Sequence, residues 1–413
     1  MRFLHGSRRR SRVAARAPAC HLPSENTIRV ETGEGGGTRR SRGSAAPRPR
    51  ASQAARPPGG IRAAPAASRP APDPEVRPMS RLTRRTLLLT GATALAAPHV
   101  AWAAEPEFRL KFGNIVSGDH PLNLAMGRVR DRVAQESDGR VRIELFPKNQ
   151  LGSDADMLSQ LRSGALELFA QTGVLMSTLV PVASISGIGF AFPSYDKVWE
   201  ALDGPLGQHI RGAFAKANLV CLEKSYNHGF RQTTSSTRPI RTPDDFNGFK
   251  IRVPPSPLWT SMFKAFGAAP VSIPWAETYS AMQTRIADGL EQPLIGLLVD
   301  KMYEVQRSCS LTNHMWDGFW VLANRRAWER LPPDLREMLE RAINQEALVQ
   351  RREVEHMNAT LQDRLQSLGL QFHTVANADF RQRLVSSGFY QEWQKRYGDE
   401  AWSLLEATTG KLG

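Results

Sequence analysis

Between Arg238 and Pro293 the chain changes from strand signals to helix signals every few residues, and this alternation limits the fold more than any other feature. The stretch reads RPIRTPDDFNGFKIRVPPSPLWTSMFKAFGAAPVSIPWAETYSAMQTRIADGLEQP. Thr242-Pro243-Asp244-Asp245 opens a helical turn: threonine caps, proline suits the first helical position, and acids suit the positive end. Gly248 ends it by accepting a left-handed conformation. Lys250 to Val253 reads as a strand that Pro254-Pro255 closes. Ser256-Pro257 repeats the cap-then-proline signal, and Leu258, Trp259, Met262, Phe263 and Phe266 make one apolar helical face that stops at Gly267. Ala269 to Ile273 is a second short strand, Trp275 to Arg285 a helix, and Leu290 to Pro293 a third strand. Strands and helices in strict alternation build an α/β sheet.

The earlier part of the chain has the same rhythm. Strands are expected at Phe108–Ile115, Val141–Phe146 and Leu166–Gln171, with helices at Leu122–Ser137 and Ser153–Ser163 between them. This βαβαβ order implies a parallel sheet. Helices from Tyr195 and over Gly204–Ala217 follow, then strands at Leu219–Lys224 and from Tyr226. Beyond Pro293 come helical segments at Leu294–Leu298 and Asp300–Val305. Val305–Leu311 is expected to cross back toward the first domain, and Phe319–Asn324 is a strand. Leu331 to Leu370 reads as a long, charged, amphipathic helix.

Ligands of open α/β sheets bind beyond the strand ends. Arg252 lies inside a strand with apolar and proline neighbours, and Gln292 ends another. An arginine there offers a flat, permanent charge matched to a carboxylate; the alternative is an arginine that pairs with a nearby acid and only holds the fold. In the first half Asn114, His120 and Gln171-Thr172 fall at strand ends. His120 reads as a solvated loop histidine in preference to a ligand group, and simple strand termination is the alternative for Thr172. Phe190–Pro193 is either a pocket wall or core.

The formal charge of +14 is confined to one end. Residues 1–103 hold 19 of the 54 Lys and Arg but 5 of the 40 Asp and Glu, so the remainder carries 35 of each and no net charge. A nucleic-acid partner would need the basic groups on the folded part, and that class is excluded. Residues 1–78, rich in Arg, Ala, Pro, Gly and Ser, lack the apolar content to offset ordering entropy. They read as a disordered basic leader or as upstream sequence ahead of a true start at Met79. Residues 79–103 have the form of a signal peptide: a short basic region, an apolar run to Ala97, and Ala101-Trp102-Ala103 as the cleavage pattern. Arg84-Arg85 points to the twin-arginine route. The exported chain is expected to begin near Ala104, in the periplasm.

Chemistry-bearing motifs are missing. There is no G-x-S-x-G, H-E-x-x-H, P-loop or G-x-G-x-x-G, and no Cys/His cluster with metal spacing. Glu277 with Glu291, and His314 with Asp317, are weak acid–base pairs. Neither enzyme chemistry nor a cofactor is expected. Cys221 and Cys309 lie in apolar surroundings and read as buried thiols.

RTPDDFNGFKIRVPPSPLW, then GAAPVSIPWAETYSAMQTRIADGLEQP, with FPKNQLGSDADMLSQLRSGALEL upstream and YEVQRSCSLTNHMW downstream, resembles the DctP-type solute-binding proteins of TRAP transporters over about Phe108–Leu405. The resemblance implies a two-domain, type II-like periplasmic-binding-protein fold with a ligand cleft and a long bracing helix. It divides the exported chain into 104–230 (mainly domain 1), 231–310 (mainly domain 2) and 311–413, which returns to domain 1 and carries the bracing and C-terminal helices. It implies a small organic acid as ligand and the small and large TRAP membrane subunits as partners. Arg252 takes the position of the arginine that clamps the ligand carboxylate, and Arg231 that of a second arginine lining the cleft. Gln292 stands where the family usually has asparagine, which sets the amide one methylene further out. Trp275 and His314-Met315-Trp316 add bulky flat groups near the expected cleft, consistent with an aromatic or extended acid and equally with core packing. The same fold also serves sensor domains that signal to a membrane partner.

Overall fold

The computed structural model describes residues 105–413; the expected basic leader, signal peptide and cleavage point lie outside the described residues. Eleven strands run in chain order: β1 (Phe108–Gly113), β2 (Val141–Phe146), β3 (Leu168–Thr172), β4 (Leu219–Cys221), β5 (Tyr226–Ser235), β6 (Lys250–Val253), β7 (Ala269–Ser272), β8 (Gly289–Pro293), β9 (Ser308–Leu311), β10 (Trp316–Asn324) and β11 (Gln371–Thr374). They pair in the order β2-β1-β3-β10-β5-β8-β6-β7, with β4 beside β10, and β9 between β5 and β11. The two ends are parallel as the alternation requires: β1 with β2 and β3, and β6 with β7 and β8.

The middle of the order is antiparallel and belongs to both halves. The first part of β5 pairs with β10, and from Arg231 onward it pairs with β8 and β9. Between the two parts the register slips: Asp317 faces Gly229 while Gly318 faces Asn227, leaving His228 as the extra residue of a bulge. Gly229 has φ +120°, a value side chains resist, so glycine permits the change of partner.

Local signals set the helices. Ser153 and Asp156 form a reciprocal capping box at Asp154–Ser163, and Gly164 closes that helix in the left-handed conformation. Two apolar clusters result. One spans the β1–β3 half, the helix Pro257–Ala265 and the C-terminal helices. The other gathers Ile273, Met282, Leu290, Leu294 and Leu297 with Leu361 and Leu365. The helix Pro333–Ser367 reaches both, burying Leu339 and Ile343 in the first and Leu361 and Leu365 in the second. Its middle is tied to β5. Gln350 accepts from the Asn227 amide at 2.8 Å and donates to the Asn227 carbonyl at 2.8 Å. One side chain thus satisfies both backbone groups beside the bulge.

Some expectations change, and one strand was not foreseen. Ser308–Leu311 does not cross back; it pairs with β5 and β11 in the second half, and the crossing falls between β9 and β10. β11 itself is too polar and short to announce a strand, and forms by pairing with β9. His120 is buried, not solvated: its Nδ1 accepts from the Leu122 amide at 3.1 Å and its ring packs edge-on to His228 and Phe319. Cys221 and Cys309 are unpaired thiols, the second buried and the first half-buried. No helix among the described residues is long and apolar enough to cross a membrane.

Candidate ligand-binding site

A narrow cavity of about 30 Å³ lies where strand ends from both halves meet. Ile115 and Val116 after β1, Thr172 at the end of β3, and Asp154 and Leu175 line it from one half. Arg252 and Pro254 at the end of β6, with Trp259, Trp275 and Gln292, line it from the other. His228, Arg231, Asp317 and Phe319 come from the strands that join the halves.

Arg252 is 1% exposed. Its Nε and Nη2 both donate to the Ile273 carbonyl, at 2.9 and 2.6 Å, while its buried Nη1 has no hydrogen-bond partner. Among the described residues no carboxylate lies within ion-pair distance of it. Its guanidinium carbon stands 5.3 Å from the Trp275 ring centroid. Burial pulls its pKa down to about 9, with Glu291 opposing, so it stays charged at neutral pH.

Arg231 is the reverse case. Its Nε pairs with Glu291 Oε2. Its Nη2 donates to Glu291 Oε1 at 2.9 Å, the Glu291 carbonyl at 3.0 Å and Gln292 Oε1 at 2.7 Å. Its Nη1 donates to Asp317 Oδ2 at 2.8 Å, and the guanidinium lies 4.9 Å from the Trp259 ring centroid. Burial pushes the Glu291 carboxyl up, but Arg231 and then His314 outweigh it and leave the pKa below its ordinary value. Burial raises Asp317 to about 7, with Arg231 opposing and Glu291 adding to the rise. His228 packs on Phe319 with ring centroids 4.8 Å apart, and burial first, then Arg231, hold it well below the ordinary histidine range.

The arrangement therefore contains one arginine paired with two carboxylates and one, Arg252, that Glu291 and Asp154 reach only from beyond ion-pair distance. A buried charge of this kind is costly unless something neutralises it. A further donor is at hand: Trp259, which lines the same cavity, has its buried Nε1 without a partner. The site can take an anion and orient it. Among the described residues no group of three or more His, Cys, Asp or Glu is placed to hold a metal.

Of the residues singled out from the sequence, Arg252, Arg231, Gln292, Trp275 and Thr172 come together around this cavity. Asn114, Phe190 and Trp316 do not. Asn114 folds the loop after β1, donating to Asn123 Oδ1 at 2.7 Å and accepting from the Val116 amide at 3.1 Å. Phe190 sits at φ +55°, its amide donating to the His314 carbonyl at 2.8 Å, and lines a separate recess with Phe192 and Phe230. Trp316 is buried, donates to Asn227 Oδ1 at 3.0 Å and packs edge-on to Trp199. The sequence reading missed His228, Trp259, Asp154 and Asp317 as lining residues. His228 and Arg231 are three apart and would face opposite sides of a regular strand; the bulge at His228 removes that rule.

Comparison with known proteins agrees with the fold. Residues 112–394 match the family described as bacterial extracellular solute-binding protein, family 7 (DctP), and the chain belongs to that family. An uncharacterised protein of Sinorhizobium fredii, y4mM, is 35% identical over 257 residues, which cover 62% of this chain and 47% of the relative, so the chain spans about half of that relative's length. The C4-dicarboxylate-binding periplasmic protein DctP of Rhodobacter capsulatus is 31% identical over 265 residues, covering 63% of this chain and 79% of the relative. A TRAP periplasmic solute-binding protein from Sulfurospirillum deleyianum, solved with bound succinate, superposes with a TM-score of 0.69 at 27% identity, covering 74% of this chain and 99% of that one. The chain is a solute-binding protein with the two-domain fold of that class.

Proposed function

We propose that the protein captures a small organic acid in the periplasm and delivers it to the membrane subunits of a TRAP-type transporter. The observation that carries this reading is the buried Arg252 guanidinium with an unpartnered Nη1 facing a cavity between the two halves. A ligand carboxylate would accept from it and neutralise it. The Rhodobacter relative is named for C4-dicarboxylates and the Sulfurospirillum structure holds succinate, so carboxylate ligands occur among proteins similar to this chain.

The ligand would touch side chains from both halves, and so favour the conformation in which they approach. In that scheme the chain supplies recognition and no chemical step. Coupling to an ion gradient belongs to the membrane subunits, and export to a signal peptide ending near Ala103. A thermal-shift screen of the purified protein against a carboxylate library tests the proposal. At least one acid should stabilise the protein, and mass spectrometry should recover that acid unchanged. Steady turnover of the acid, or stabilisation by no carboxylate, counts against it.

A further inference from the structure

Beside the Arg252 cavity lies a second compartment of about 120 Å³, and the two share Asp154 and Leu175 among their lining residues, which form the neck between them. Leu158, Phe169 and Met176 wall it from one half, Pro255 and Pro274 from the other. These surfaces are apolar. One buried polar atom among its lining residues lacks a partner, Gln171 Nε2. The orientation of that amide is set by its other end, because Gln171 Oε1 accepts from the Thr172 backbone amide at 2.7 Å.

Charge in the first compartment limits what can enter. Glu291 and Asp317 already match Arg231, so one cation, Arg252, is left for the ligand. A second carboxylate on the ligand would meet Asp154 at the neck and the Glu291–Asp317 pair behind Arg231, with no unmatched cation to receive it. An apolar body passing the neck would instead cover Leu158, Phe169 and Met176. An acceptor oxygen on that body would satisfy Gln171 Nε2, a group that is costly to leave unpaired.

We infer that the second compartment is a subsite for the body of the ligand, and that the ligand is a monocarboxylate whose largely apolar body carries an acceptor oxygen. This rests on the reading of Arg252 as the carboxylate partner. It separates the chain from relatives named for dicarboxylates, whose ligand has a charge at each end and no apolar tail.

Isothermal titration of the purified protein tests it with four probes: 4-oxo-4-phenylbutanoate, its deoxy counterpart 4-phenylbutanoate, succinate and the uncharged 4-phenylbutanamide. Both phenyl acids should bind at least about tenfold more tightly than succinate, since apolar burial scales with area. The keto acid should exceed its deoxy counterpart, and Gln171→Met should erase that margin. Leu158→Trp, at a half-buried position, should fill the compartment and lower the ratio of 4-phenylbutanoate to succinate affinity about tenfold. Tighter binding of succinate than of either phenyl acid overturns the inference, as does an unchanged ratio in Leu158→Trp. Binding of the amide as tight as that of the acid, or no binding of any probe, is a different failure: it removes the carboxylate reading of Arg252, and the inference with it.

Discussion

Arg231 and Arg252 lie on neighbouring parts of one sheet, both are buried, and both face the same cavity. Their surroundings differ completely. Arg231 stands where β5 leaves one partner for another, and the corner is filled by Glu291 and Asp317, whose carboxylates take up its donors. Arg252 projects from the end of β6 and meets a backbone carbonyl and an aromatic ring. The first arginine completes a structure. The second leaves one incomplete, and under the proposed function a ligand carboxylate would complete it. Burial alone would not separate them; the distribution of carboxylates does.

The comparison is broken most severely by removing the matched arginine. Arg231→Met leaves Glu291 and Asp317 buried without a cation, and loss of one partner from such a group costs about 3–5 kcal/mol. Chemical denaturation should show a loss of that size, whether or not ligand is present. Arg252→Met removes a buried charge that has no carboxylate within ion-pair distance, so the ligand-free protein should keep or gain stability while carboxylate affinity falls about a hundredfold, two charge-assisted hydrogen bonds being worth roughly 3 kcal/mol. Arg252→Lys retains the charge without the fork and should weaken binding about tenfold. Unfolding of Arg252→Met without ligand would erase the distinction between the two arginines.

The sequence allowed much of this contrast to be seen, but only from one side. The β6 boundaries follow from the prolines after Val253, and a charged side chain inside a short apolar strand marks Arg252 on its own. The pairing of Arg231 is not visible that way. Glu291 and Asp317 are 60 and 86 positions distant, and only the slip of β5 at His228 brings all three to one corner. Asn114 and Trp316 show the opposite error. Strand ends hold the side chains that close loops as well as those that meet ligands, and a polar or aromatic residue there carries the same signature in either role. β11 escaped notice because its pairing with β9, not its composition, makes it a strand.

The acids around Arg231 sharpen the comparison through pH. Asp317 keeps its proton in the folded protein up to about pH 7, whereas an unfolded aspartate releases it near pH ~3.9. Between those values this group holds more protons in the folded chain than in the unfolded chain, so its contribution to stability falls as pH rises through that window and levels off above it. Glu291 has the opposite shift, and its contribution is lost only under more acidic conditions, as pH falls through its depressed pKa. The buried His120, His228 and His314, held below the ordinary histidine range, contribute a rise over the same window, so the test is the difference: between pH 5 and pH 7.5 the melting temperature of the ligand-free protein should climb more, or fall less, in Asp317→Asn than in the unaltered protein. An Asp317→Asn profile parallel to that of the unaltered protein would place the titration elsewhere.

The smallest effect expected is at Trp275, and it bears on Arg252 alone. Trp275 opens the helix Trp275–Gln283 and presents its ring to the Arg252 guanidinium at 5.3 Å. A ring face attracts a cation, and the attraction amounts to about 0.5–2 kcal/mol according to how far the pair is removed from water. In the ligand-free protein the ring partly offsets an unmatched charge; once a carboxylate is bound, that charge is neutralised and the ring contributes less. Trp275→Leu keeps an apolar wall but removes this support. Ligand-free stability should drop by up to about 1 kcal/mol, and carboxylate affinity should change by less than about fivefold. Arg231, whose own ring neighbour is Trp259, should be unaffected, so the pH dependence of stability should keep its shape. A large loss of affinity in Trp275→Leu would show that the ring contacts the ligand directly, and a change in the pH profile would show that the two arginines do not have separate environments.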